Sequence, residues 1–191
     1  MTQTQRSNVL ISGGGLVGQT LALALAHHGL SSQVVDPADP VATIAPGFDG
    51  RASAIASATW QMFQVLGLAD RLQGHGCAIR AIKVSDGGEA GELDFVTRSD
   101  DPALGMMIEN RQLRVALAAA IGDAPLVRLN MPAKVTARAV DAHGVTLTLA
   151  DGRRLAAPLL IIAEGRRSPT RDEAGFSIAS WSYHHHAMIG A

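Results

Sequence analysis

The chain has 191 residues, 47% of them apolar and 17% charged, which is enough to bury the core of one large domain or of one domain plus part of another. Its net charge is −1 and no basic block is present, so nucleic acid is excluded as an expected partner. Cys77 is the sole cysteine, which rules out an internal disulfide and fits a reducing compartment.

The polar segment at residues 1–8 runs straight into an apolar strand at residues 8–12 and leaves no room for a signal peptide. A glycine-rich turn follows, Gly13-Gly14-Gly15-Leu16-Val17-Gly18, and opens an apolar helix predicted to reach Leu30. That helix carries Gln19, His27 and His28 and is too short to span a bilayer, so a cytoplasmic soluble domain is expected. A second strand at residues 33–35 ends on Asp36. Pro37 and Pro40 then predict a loop without helix up to Gly50. Residues 51–68 show helical periodicity through Ile55, Met62, Phe63 and Leu66, with Gly67 near the stop. Residues 78–96 alternate in short segments split by Asp86-Gly87-Gly88, the pattern of a β-hairpin. Further strands are predicted at residues 106–108, 126–129, 134–140 and 145–149, and a helix at residues 110–121. The continuous apolar run Leu159-Leu160-Ile161-Ile162 predicts a strand buried on both faces of a parallel sheet. Residues 181–191 read as the start of a strand in which the chain stops, so the sequence is expected to be the N-terminal piece of a longer protein.

Each part of the first strand–turn–helix–strand unit has a physical use in holding a dinucleotide. Gly13 permits a tight turn, Gly15 lets the backbone approach a pyrophosphate, and Gly18 lets the helix pack closely on the strand. The free N–H groups of the helix start face the phosphates, and Asp36 can accept from ribose hydroxyls. The alternative is a glycine-rich turn in some other α/β unit. Other constellations are weaker. In a strand, His184 and His186 would share a face, but no Cys or carboxylate stands nearby at ligand spacing, so no metal is expected. The pair His27 and His28 complements a helix C-terminus, Cys77 is read as a buried hydrophobe, and Ser168 does not sit in a nucleophile elbow. No catalytic acid or base is assigned within these residues.

Three further motifs carry a family resemblance. Phe48-Asp49-Gly50-Arg51-Ala52-Ser53-Ala54 resembles the arginine-headed helix start that follows the second strand in flavin-dependent aromatic hydroxylases. Glu109-Asn110-Arg111-Gln112-Leu113 resembles the start of their next helix. Glu164-Gly165-Arg166-Arg167-Ser168-Pro169-Thr170-Arg171 resembles their Asp-Gly motif. Over nearly its whole length the chain is similar to the N-terminal half of FAD-dependent monooxygenases of the p-hydroxybenzoate hydroxylase type. The ubiquinone-biosynthesis hydroxylases, with Trp181-x-Tyr183 echoed here, are the branch it resembles most.

The resemblance implies an α/β, Rossmann-like FAD-binding domain with a parallel central sheet and a β-meander, plus part of a β-rich substrate domain. Residues 1–76 and 106–178 would form the first, and residues 77–105 and 179–191 would contribute to the second. It implies that Gly13, Gly15, Leu16, Val17 and Gly18 hold the FAD pyrophosphate and that Asp36 holds the adenosine ribose. Arg51 would reach the phosphate and ribityl side, or else remain a solvated helix-start arginine. Asn110 would meet the flavin's linker, cap its own helix, or both. The backbone at Val135 would contact adenine. Glu164 and Gly165 would hydrogen-bond near the ribose and pyrophosphate, with Arg171 steadying their loop; a plain surface turn is the alternative. Glu164 stands where the family has Asp, and the family's second flavin-contacting Gly-Asp segment lies beyond residue 191. The implied activity is hydroxylation of a polyprenyl phenol in ubiquinone biosynthesis with NAD(P)H and O₂, peripheral at the inner membrane and in association with other ubiquinone-biosynthesis proteins. Open alternatives are a hydroxylase of a soluble phenol or polyketide, a nicotinamide-dependent oxidoreductase, and a truncated flavoprotein domain without turnover.

Overall fold

A computed structural model describes residues 4–46, 51–85, 91–98 and 102–186. In chain order its elements are β1 (Gln5–Arg6), β2 (Val9–Ser12), α1 (Leu16–His27), β3 (Ser32–Val35), α2 (Pro40–Thr43), β4 (Ala52–Ala56), α3 (Ser57–Val65), α4 (Leu68–Arg71), β5 (Gly76–Ile79), β6 (Ala81–Ser85) and β7 (Glu92–Val96). They continue with β8 (Gly105–Glu109), α5 (Asn110–Gly122), β9 (Val127–Asn130), β10 (Val135–Asp141), β11 (Gly144–Leu149), β12 (Arg154–Ala157), β13 (Leu159–Ile162) and α6 (Pro169–Glu173).

The central sheet is parallel throughout, in the order β13-β2-β3-β9. Its alternation decides the layers, because successive side chains of a strand point to opposite faces. Val9, Ile11 and Val34 face α1 and pack on Ala22. Leu10 and Val35 face the other way and pack on Val145, Leu147, Leu149 and Leu155 of the antiparallel meander β10-β11-β12. Leu10, Ile11 and Leu155 are fully buried, each contributing about 1.5–3 kcal/mol by the transfer of its side chain from water. On the helical side α5 buries Leu113, Ala116, Leu117, Ala120 and Ile121 against Leu23, Phe63, Leu68 and Leu72. The α/β class with a parallel sheet and meander is therefore as expected.

Several local expectations are corrected. Residues 37–50 are not free of helix: Asp39 accepts from the Val41 amide at 2.9 Å and caps a short helix. Pro40 occupies its first position, where a missing N–H costs nothing. Residues 51–68 are not one helix, because 52–56 form β4, antiparallel to β8, so Arg51 heads a strand. Small residues allow this pairing, since a side chain at Gly105 would strike the Ile55 carbonyl. The Leu159–Ile162 strand is parallel but not buried on both faces. Among the described residues it pairs only with β2 and lies at the sheet edge, leaving Leu159 52% and Ile162 37% exposed. Cys77 is exposed, because β5 is an edge strand of the small sheet β4-β8-β5. β12 was not foreseen, and residues 181–186 are not a strand. The Phe48-Asp49-Gly50 triplet, the Asp86–Gly88 turn and residues 187–191 lie outside the described residues.

Strands β6 and β7 pair with each other, apart from the parallel sheet, and set Ile82 opposite Phe95 and Val84 opposite Leu93. Among the described residues no helix is long and apolar enough to cross a membrane.

Candidate cofactor site

The glycine turn is built by contacts that a side chain would obstruct. Gly13 has φ +114°, a left-handed value that favours glycine, and a Cβ there would strike the Ala163 carbonyl at the end of β13. A Cβ at Gly18 would strike the Gly13 carbonyl, so the absence of a side chain lets α1 sit directly on the turn. Gly15 differs from both, since a Cβ there would meet nothing. The space beside Gly15 is thus open to a ligand approaching the backbone, as a pyrophosphate must. Gly15 is also the N-cap of α1, with no side-chain cap bond and no acid in the first turn. The amides of a helix's first turn lack intrahelical partners and attract anions. Leu16 packs inward on the helical core, while Val17 is exposed beside that start.

Two side chains hold the turn. The Gly14 amide donates to Asp36 Oδ2 at 2.6 Å, and the buried Gln19 amide donates to the Gly14 carbonyl at 2.6 Å. Asp36 Oδ1 accepts from the Ala38 amide at 2.7 Å, which leaves each carboxylate oxygen a free lone-pair direction for a ribose hydroxyl. Asp36 thus supports the turn as well as ending β3. Gln19 was not foreseen as a site residue; the signal available was a polar side chain within an otherwise apolar helix.

A cleft of about 820 Å³ brings Gly13, Asp36, Val135 and Glu164 together, with Ser12 and Arg138 also on its walls. Gly15 to Gly18 form the adjoining helix start, outside that lining. Arg51 and Asn110 are joined to one another elsewhere: the Asn110 amide donates to the Arg51 carbonyl at 3.0 Å. Asn110 Oδ1 accepts from Ser53 Oγ at 2.5 Å. The capping role for Asn110 is overturned, because Glu109 is the N-cap of α5 and no side-chain cap bond forms. Gly165 has φ +78° and open space around it.

Glu164 is the most heavily bonded carboxylate of the site. Its Oε1 accepts from Ser12 Oγ at 2.6 Å and Thr170 Oγ1 at 2.7 Å. Its Oε2 accepts from Ser168 Oγ at 2.6 Å and the Thr170 amide at 3.1 Å. Burial pushes its carboxyl pKa up, but these donors outweigh burial and hold it below the ordinary glutamate range. Thr170 Oγ1 in turn accepts from Arg138 Nη2 at 2.8 Å, which ties the loop to β10. Ser168 caps α6 by accepting from the Arg171 amide at 3.1 Å, and Arg171 donates to the Arg166 carbonyl at 3.0 Å across the loop. Ser12 and Arg138 were invisible as site residues in the sequence, since their meeting with Glu164 and Thr170 depends on strand pairing, whereas Thr170 stands within the Glu164–Arg171 motif. A second cavity of about 390 Å³ between α1, α4 and the end of α5 includes Arg71 and Asp123 and none of these groups.

The described geometry agrees with comparisons to known proteins. The model of the FAD binding domain family matches residues 6–188. The chain is 43% identical to the ubiquinone hydroxylase UbiL of Rhodospirillum rubrum, over 96% of this chain and 43% of that protein. It is 33% identical to the 3-demethoxyubiquinol 3-hydroxylase of Escherichia coli, over 97% of this chain and 48% of that one. The crystal structure of PqsL, a probable FAD-dependent monooxygenase from Pseudomonas aeruginosa, superposes with a TM-score of 0.76 at 22% identity, covering 94% of this chain and 48% of that one. The flavin-dependent monooxygenase PieE, solved with FAD and substrate, gives 0.69 at 24% identity over 90% of this chain and 32% of that one, a likeness of fold. The chain spans less than half the length of these relatives. A family match over nearly every residue, a glycine turn open at Gly15 and an uncapped helix start agree with one another, and the chain belongs to the FAD binding domain family, with FAD as its cofactor.

Proposed function

We propose that the full-length protein is a monooxygenase that hydroxylates a polyprenylated phenol in ubiquinone biosynthesis, using FAD, NAD(P)H and O₂. The observation that carries this reading is the 43% identity to a ubiquinone hydroxylase across 96% of the chain. Bound FAD, reduced by NAD(P)H, supplies the oxygen chemistry that no amino-acid side chain provides. The residues of this chain bind and orient it. Gly13, Gly15, Leu16, Val17 and Gly18 would hold the pyrophosphate against the start of α1, and Asp36 would accept from the adenosine ribose. The Val135 backbone would meet adenine across the cleft. Arg51 would reach the phosphate and ribityl side, and Asn110, whose amide donates to the Arg51 carbonyl, would meet the flavin's linker. Glu164 and Gly165 would close the ribose and pyrophosphate side.

In the same reading, residues 77–105 and 179–191 belong to a substrate domain completed by sequence beyond residue 191. The exposed face of Ile82, Val84, Leu93 and Phe95 on the β6–β7 hairpin supports this, because an apolar face of that kind is normally covered. The protein would work peripherally at the cytoplasmic face of the inner membrane, where a polyprenyl phenol resides, in association with other proteins of that pathway. Quinone profiling of a strain lacking the gene tests the reading. Accumulation of an under-hydroxylated ubiquinone precursor supports it, and an unchanged ubiquinone pool with no compensating paralogue overturns it.

A further inference from the structure

We propose that Arg153 is a positioning residue for the ribose-binding carboxylate, holding Asp36 in place through Asn130 and the segment that follows it. The inference rests on the reading that Asp36 accepts from the adenosine ribose of FAD. Arg153 lies on the turn between β11 and β12, outside the lining of the cleft. Its Nη1 donates to Asn130 Oδ1 at 2.7 Å, and its Nε donates to Asp151 Oδ2 at 2.7 Å. The planar guanidinium thus spans an exposed carboxylate and a buried amide, as its fork of donors allows. Asn130 ends β9, is only 2% exposed, and its Nδ2 has no partner among the described residues. The Arg153 bond therefore satisfies this buried side chain, and its loss would leave a buried acceptor unmet, which favours a shift of Asn130.

A shift of Asn130 would be felt at Asp36. Asn130 lies opposite Val35 in the register of β3 and β9, and its carbonyl accepts from the Asp36 amide at 3.3 Å. The Asp36 carbonyl in turn accepts from the Ala133 amide at 2.8 Å. Met131, between the two, lies against the glycine turn: a Cβ at Gly14 would strike its thioether and come within 2.9 Å of Asp36 Cβ. Residues 130–133 thus hold the Asp36 backbone on both sides and pack where its side chain leaves for the Gly14 amide. The meander grips this segment at both ends, at Asn130 through Arg153 and at Lys134, whose carbonyl accepts from the Ala150 amide at 2.9 Å. A carboxylate that reads hydroxyls must be held to within about 0.5 Å, and its support comes from residues that do not touch the ligand.

The test titrates the full-length apoprotein with FAD and with an analogue whose adenosine lacks both ribose hydroxyls. The parent is expected to prefer FAD by about tenfold or more, the factor a hydrogen bond to a charged group carries. Arg153→Met keeps the apolar stem and should narrow that preference by about threefold or more, a coupling of the size that networked residues show. Asn130→Ala removes the same bond from its other end, and the double variant should narrow the preference no further than Asn130→Ala alone. A merely structural role would weaken both ligands by one factor and leave the preference intact. That result overturns the proposal, as does additive narrowing in the double variant. Should Arg153→Met fail to fold, Asp151→Asn loosens the same guanidinium from its exposed side and should narrow the preference in the same direction. An unchanged preference there overturns the proposal too. A parent that binds both ligands equally overturns the placing of the ribose on Asp36, and this inference with it. Unchanged preference in the variants of a discriminating parent overturns this inference alone.

Discussion

At the end of β2 the chain turns through three glycines into α1; at the end of β13, the neighbouring strand, it turns through Glu164, Gly165 and Ser168 into α6. Both are strand–turn–helix units that end on the same side of one parallel sheet, and each has a carboxylate beside it. They dispose of their polar groups in opposite ways. The first turn leaves the start of α1 uncapped and leaves Asp36 with acceptor capacity. The second caps α6 with Ser168 and saturates Glu164 with internal donors. An open helix end is a binding surface, because unmet amides seek an anion, whereas a closed one is a brace. Both units contribute to the cleft, Gly13 and Asp36 beside the first and Glu164 and Thr170 from the second.

The difference can be broken at individual residues. The largest effect is expected from Gly13→Ala, where a positive φ and the Ala163 carbonyl together cost about 4 kcal/mol of stability, read by chemical denaturation. Gly15→Val sharpens the contrast, because the space there is open. It should leave the melting temperature within about 2 °C of the parent while lowering FAD affinity more than about a hundredfold, near 2.7 kcal/mol. Normal FAD retention by that variant would place the pyrophosphate elsewhere. Asp36→Asn keeps an acceptor for the Gly14 amide but removes the charge, and a flavin titration should show about tenfold weaker binding.

The closed turn has its own signature in acid. Glu164 has a folded-state pKa below its unfolded value near 4.5, so its contribution to stability is present above that value. It is lost as the pH falls through the lower folded value, when protonation removes an acceptor from Ser12, Ser168 or Thr170. Acid-unfolding curves should show a steep decline below pH 4.5 in the parent and a flatter one in Glu164→Gln. The smallest effect is expected far from both turns. Arg71 and Asp123 form an exposed ion pair at 2.7 Å, and Arg71→Ala should cost no more than about 0.5 kcal/mol in a denaturation curve and leave FAD binding unchanged.

What the sequence determined by itself is the local unit from Val9 to Asp36. Its strand, glycine turn, helix and acid are contiguous, and the period of apolar residues with the chemistry of glycine specifies each of them. The same holds for α5 and for β10 and β11, where pattern and turn residues agree. Tertiary structure decided whatever depends on a distant partner. Ala52-Ser53-Ala54-Ile55-Ala56 suits a helix as well as a strand, and pairing with β8 made it a strand. The apolar run of β13 announces a parallel strand, but its burial depends on which neighbours lie beside it, and here it is an edge. Glu164 could be aligned with a motif, yet its role rests on Ser12, 152 residues away, and on Arg138 reaching Thr170. Hydrogen bonds across such separations are fixed only when strand register brings their donors together, and no local pattern encodes that.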